Sequence, residues 1–81
     1  MNLAFTARFD RSLREAAPMV QRAFWKQSRF LLNALRHPSL RAKKVDETRD
    51  IWQARVNRDW RFFFKILGND YYLLDITPHP K

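Results

Sequence analysis

The chain has 81 residues, 46% hydrophobic and 15% aromatic, with 16 Lys and Arg against 8 Asp and Glu, a formal charge of +8 and no cysteine. That length allows one small domain with a modest core. The apolar content excludes a disordered tail, and the lack of thiols excludes a disulfide scaffold, a thiolate zinc site and a cysteine nucleophile. Two histidines, His37 and His79, are too few to build a metal site alone. Arginine dominates the cations, which suits bidentate phosphate contact and points to nucleic acid, with an acidic protein as the other polyanionic partner. The opening MNLAFTARF holds no long apolar segment, so neither a signal peptide nor a membrane anchor is expected and the cytoplasm is the expected location.

Asn2 to Phe9 alternates loosely and reads as a first strand, with Leu3, Phe5 and Ala7 inward. Asp10 stands where the N-cap of a short helix belongs, and Pro18 limits that helix by disfavouring a helical residue before it. Pro18 in turn fits the first turn of a longer helix to about Arg36. Its stripe of Val20, Ala23, Phe24, Phe30, Leu31, Ala34 and Leu35 would cover a sheet. Arg22, Lys26, Arg29 and Arg36 fall mostly off that stripe, as a solvated face. His37-Pro38-Ser39 ends the helix, where a cation suits the dipole. Leu40 to Val45 reads as a basic loop entering a strand, and Asp46 to Asp50 as a charged turn.

Ile51 to Lys65 reads as two alternating strands, and the loop length decides which faces match. A two-residue loop would set Gln53 and Arg55 among phenylalanines, where an uncompensated charge costs several kcal/mol, roughly. A three-residue loop, Asn57-Arg58-Asp59, places Trp52, Ala54, Val56, Trp60, Phe62, Phe64 and Ile66 on one face. It sets Arg55 opposite Arg61 on the other. Gly68-Asn69-Asp70 is a turn signal, and Tyr71 to Ile76 the final strand. A three-residue turn there pairs Phe64 with Leu74 and Ile66 with Tyr72. The expected architecture is a single α+β domain over residues 1–81, in the order β-α-α-β-β-β, with two N-terminal helices on one face of a small, mostly antiparallel sheet.

This order, with HPSLRAKKVDETRDIWQARVNRDWRFFFKI and YYLLDITPH, resembles the RelE/ParE superfamily of bacterial toxins from toxin–antitoxin pairs. The shared pattern is a basic loop after the second helix, a tryptophan-led strand ending in arginine, an aromatic-arginine pair opening the next strand, and a histidine or basic residue beyond the last. For the RelE-like branch the resemblance implies metal-independent cleavage of mRNA in the ribosomal A site, with no cofactor. The ribose 2′-hydroxyl attacks the adjacent phosphate, which requires a base, cations for the added negative charge and an acid for the leaving oxygen. Arg61 then matches the arginine that stabilises the phosphate, Arg55 a neighbouring basic residue, and His79 the terminal acid/base. Arg41, Lys43 and Lys44 match the basic loop, which holds RNA or supplies a lysine of lowered pKa. The resemblance also implies a cognate antitoxin as partner and a monomeric free form.

Parity places residues 55, 61 and 75 on the non-core face and extends it to His79. Many active relatives carry an aromatic residue soon after the basic residue of the last strand. Here Pro80 and Lys81 follow, so base stacking would fall to Phe63 or Tyr71, both expected on the arginine face. Asp59 could orient an arginine or act as a base, but turn aspartates commonly just form turns. Arg61 could also be a solvated cross-strand partner of a carboxylate such as Asp75, Lys43 and Lys44 edge-strand charges, and His79 a frayed tail. Two further functions fit the same pattern: a ParE-like poison of DNA gyrase, and a relative that binds RNA or antitoxin without chemistry.

Overall fold

The computed structural model describes residues 1–80. The elements are β1 (Asn2–Phe5), α1 (Ala7–Glu15), α2 (Pro18–Asn33), β2 (Lys43–Asp46), β3 (Ile51–Arg55), β4 (Trp60–Leu67) and β5 (Asp70–Pro78). They form one five-stranded sheet in the order β1-β5-β4-β3-β2, in which β1 and β5 run parallel and every other pair is antiparallel. The helices contribute Phe9, Leu13, Val20, Phe24 and Leu31 to a core closed from the sheet by Ala54, Val56, Phe62, Phe64, Tyr71, Leu73 and Ile76. Phe24 sits edge-on to Phe62 at 5.3 Å, and Phe64 edge-on to Tyr71 at 5.5 Å, separations favourable for perpendicular rings.

The expected α+β architecture holds, with one more strand than expected. The basic loop's end, Lys43–Asp46, pairs with β3 as an edge strand. The first helix also begins earlier than Asp10. Thr6 is its N-cap, with Oγ1 accepting the Phe9 N–H at 3.1 Å, because Phe9 and Leu13, four apart, both face the core. Asp10 instead lies in the first turn, where a carboxylate suits the positive end of the dipole. β1 therefore stops at Phe5, whose ring lies 5.7 Å from Phe9 and Trp25 at the rim of the core. Similarly, α2 stops at Asn33, and Ala34 turns extended at φ −162°. His37 lies beyond the helix, its ring stacked on Phe30 at 4.0 Å.

The β3–β4 hairpin has the three-residue loop, with Ala54 opposite Phe62 and Arg55 opposite Arg61. The β4–β5 hairpin differs. Leu67 pairs with Asp70, leaving a two-residue loop of Gly68 and Asn69. Gly68 has φ +58°, as the first position of such loops requires. Phe64 then pairs with Leu73 and Ile66 with Tyr71, until a bulge shifts the register and Phe63 pairs with Asp75. Leu74 is the extra residue. A bulge of one residue turns the following side chains to the opposite face, so the arrangement expected for the whole hairpin holds only beyond it.

Candidate nucleic-acid interface

Helices cover one face of the sheet, and the other carries the arginines. Arg61 on β4 faces Arg55 on β3 and Thr77 on β5, and Lys43 on β2 faces Gln53. A cleft of about 230 Å3 is lined by Arg41, Lys43, Gln53, Arg55, Arg61 and His79. Four fixed cations and a histidine thus share one concavity with no carboxylate in its wall. The ion pairs among the described residues are Arg8–Asp75, Lys44–Glu47, Lys44–Asp50 and Arg49–Asp46, and none neutralises the cleft. The alternative pairing of Arg61 with Asp75 does not form. Asp75 faces Phe63 and is bound by Arg8 Nε at 3.3 Å and Ser12 Oγ at 2.7 Å.

Local structure fixes each lining group. Arg61 Nη1 donates to the carbonyls of Asn57 at 2.8 Å, Trp60 at 2.9 Å and Arg58 at 3.2 Å. This ties the guanidinium to the β3–β4 turn. Partial burial lowers its pKa from the ordinary arginine value, and the Arg55 and Arg41 charges lower it further, while Asp59 acts in the opposite sense. Desolvated like charges of this kind concentrate at functional sites. The His79 backbone N–H donates to the Asp59 carbonyl at 2.7 Å, so His79 is pinned to the same turn and is not frayed. Arg41 holds φ +46°, a left-handed conformation that costs a non-glycine residue about 1–2 kcal/mol. Strain at a residue that lines a cleft is itself a functional signal.

Two residues that place the basic loop were not singled out from the sequence. Gln27 on α2 is 4% exposed. Its Nε2 donates to the carbonyls of Ser39 at 3.0 Å and Arg55 at 2.8 Å, and its Oε1 accepts Ser39 Oγ–H at 2.9 Å. Leu40 is fully buried, and its carbonyl accepts the Arg55 N–H at 2.7 Å. Helix, loop and the end of β3 are locked together there. A gap in the α2 stripe was the available signal: between Phe24 and Leu31 the inward positions fall on Gln27 and Ser28, both buried.

The other expected site residues lie elsewhere. Lys44 faces Trp52 across β2–β3, with Nζ 5.6 Å from the indole centroid and paired to Asp50 at 3.2 Å. It therefore projects on the helix side, away from Lys43. Tyr71 is 6% exposed and packed on Phe64; burial raises its pKa. It cannot stack a base on the arginine face, because the bulge puts it on the core side. Phe63 does lie on the outer face, in a neighbouring groove of about 690 Å3 with Lys65 and Leu74. The Asp59 side chain is exposed at the turn, and its backbone holds His79.

No protein-family model and no curated protein sequence matches the chain. Solved structures match over nearly its whole length. A YoeB/ParE toxin from Agrobacterium tumefaciens superposes with TM-score 0.79 at 11% identity, covering 99% of this chain and 100% of that one. The isolated Escherichia coli RelE toxin gives 0.77 at 14%, covering 98% and 84%. The RelE–RelB complex from Pyrococcus horikoshii gives 0.76 at 16%, covering 95% and 92%. The chain has the RelE/ParE toxin fold.

Proposed function

We propose that this chain is the toxin of a toxin–antitoxin pair and a metal-independent endoribonuclease that cleaves mRNA at the ribosome, in the cytoplasm. The observation that carries the reading is the single cleft that joins Arg41, Lys43, Arg55, Arg61 and His79 without a carboxylate. Attack of a 2′-hydroxyl on the adjacent phosphorus forms a 2′,3′-cyclic phosphate and expels the 5′-oxygen. Arg61 and Arg55 stabilise the negative charge that builds on the phosphoryl oxygens, the largest contribution in reactions of this kind. Arg41 and Lys43 hold flanking phosphates. Arginine does not give up its proton in proteins, so protonation of the departing 5′-oxygen falls to His79, and the 2′-hydroxyl proton passes to solvent water. A free monomer held inactive by an acidic antitoxin laid over this face fits the same charge pattern, and several structures of this fold are RelB–RelE complexes.

Primer extension on ribosomes with an mRNA in the A site tests the reading. Wild-type protein should cut, and Arg61→Ala should lose about 10²–10³-fold, the usual cost of removing one transition-state donor. No cleavage by folded wild type would overturn it. A gyrase-dependent DNA-damage response that survives Arg61→Ala would favour a ParE-like poison.

A further inference from the structure

One short turn supports both ends of the proposed chemistry. Asn57 Oδ1 accepts the N–H groups of Asp59 at 2.9 Å and Trp60 at 3.0 Å, a side-chain turn that fixes the backbone from 57 to 60. In that conformation three carbonyls converge on one nitrogen of Arg61: those of Asn57, Arg58 and Trp60. The fourth, of Asp59, accepts the backbone N–H of His79 at 2.7 Å. All four carbonyls of the segment therefore reach the two residues assigned to transition-state charge and to proton donation, that of Trp60 while also accepting the Val56 N–H at 3.0 Å. Nη1 is fully engaged, and Nε and Nη2 make no hydrogen bond to the described residues, so they stay available to a phosphate. Asn57 itself is not among the residues that wall the small cleft.

We infer that Asn57 is a positioning residue, whose side chain sets the turn that holds Arg61 and His79 in working register. The inference rests on the endoribonuclease reading for its catalytic consequence, but the physical hold can be measured without it. Removing the amide should leave the cations that bind RNA in place and blur the geometry of the two reacting groups. A misplacement of about 1 Å costs roughly 10²-fold in rate, so the loss belongs in turnover and not in substrate affinity. Aspartate at this position keeps an oxygen able to accept both N–H groups, whereas alanine keeps none.

The experiment compares the full chain with Asn57→Ala and Asn57→Asp by 15N NMR and by single-turnover cleavage on ribosomes. In Asn57→Ala the His79 amide should exchange at least about 10-fold faster, and the Arg61 Nε resonance should move toward the free-arginine position, with core amides unchanged. Cleavage should fall about 10–100-fold at saturation, with half-saturation within about twofold of wild type. Asn57→Asp should restore both within about threefold. Unchanged His79 exchange and Arg61 resonance in Asn57→Ala would overturn the inference, as would loss of affinity in place of turnover. If Asn57→Ala does not fold, Asn57→Ser makes the same comparison, because its hydroxyl accepts more weakly and both readouts should move together. Absence of cleavage by wild type removes the endoribonuclease reading, and the NMR comparison still decides whether Asn57 holds the two groups.

Discussion

Arg41 offers a separation of backbone strain from charge. It is exposed and adopts φ +46°, where an L-residue pays about 1–2 kcal/mol. Glycine would remove that penalty, at a cost of about 0.4–1 kcal/mol from the greater freedom of its unfolded chain. The net gain for Arg41→Gly is about 0.5–1 kcal/mol, which raises Tm by roughly 2–8 °C in a domain of this size. Arg41→Ala removes the same charge but keeps the strain, so the difference between the two variants isolates the backbone. Both should bind single-stranded RNA more weakly, each flattening the logarithmic salt dependence by about 0.7 for the lost phosphate contact. Differential scanning calorimetry and a salt titration of oligonucleotide binding measure the two effects. Equal melting of the glycine and alanine variants would refute the claim of strain. An unaltered salt slope would refute the placement of Arg41 on the phosphate path.

Two further outcomes follow from the same hydrogen bonds. Gln27→Leu leaves the Ser39 and Arg55 carbonyls and the Ser39 hydroxyl without their buried partner, and should cost about 2–4 kcal/mol; a lower urea midpoint at constant slope would show it, and an unchanged midpoint would refute it. The Arg49 backbone N–H, and then its guanidinium, hold the Asp46 carboxyl below its ordinary value of 3.8. A depressed folded pKa means that this contribution to stability is present above 3.8 and disappears as pH falls through the folded value. Arg49→Ala keeps the backbone donor, so an NMR titration should find Asp46 raised only part of the way; a full return would refute the order of causes.

The hairpin carrying Arg55 and Arg61 was legible because both strands alternate, Phe63 apart, and only one loop length keeps arginine out of the phenylalanine layer. The next hairpin was not, because Tyr71-Tyr72-Leu73-Leu74 is apolar at both parities and marks no face. The edge strand β2 was only partly legible: the basic loop was read as entering a strand, but that strand was left out of the expected order. Lys-Lys-Val-Asp has little strand character of its own, and its pairing is set by β3. Thr6 was read as strand and not as the cap, because the earlier start becomes evident only once Phe9 and Leu13 are seen to share the core. In the site, parity made the faces of Arg55, Arg61 and His79 readable, while those of Lys43, Lys44 and Tyr71 were not. Lys43 and Lys44 are adjacent and equally basic, yet alternation sends one into the cleft and the other over Trp52.

The bulge at Leu74 links core and site more closely than either hairpin alone. Before it, Tyr71 and Leu73 fill the core opposite Ile66 and Phe64. After it, Ile76 does so opposite Phe62, and Asp75 and His79 stand on the outer face. An unbulged strand with Tyr71 and Leu73 inward would send Ile76 outward and drive Asp75 toward the phenylalanines, burying a carboxylate at a cost of several kcal/mol, roughly. Leu74 avoids this by leaving the ladder, and its side chain lines the outer groove. The face on which His79 stands is thus set five residues upstream. Parity in a fold of this kind has to be counted from the bulge, not from the turn.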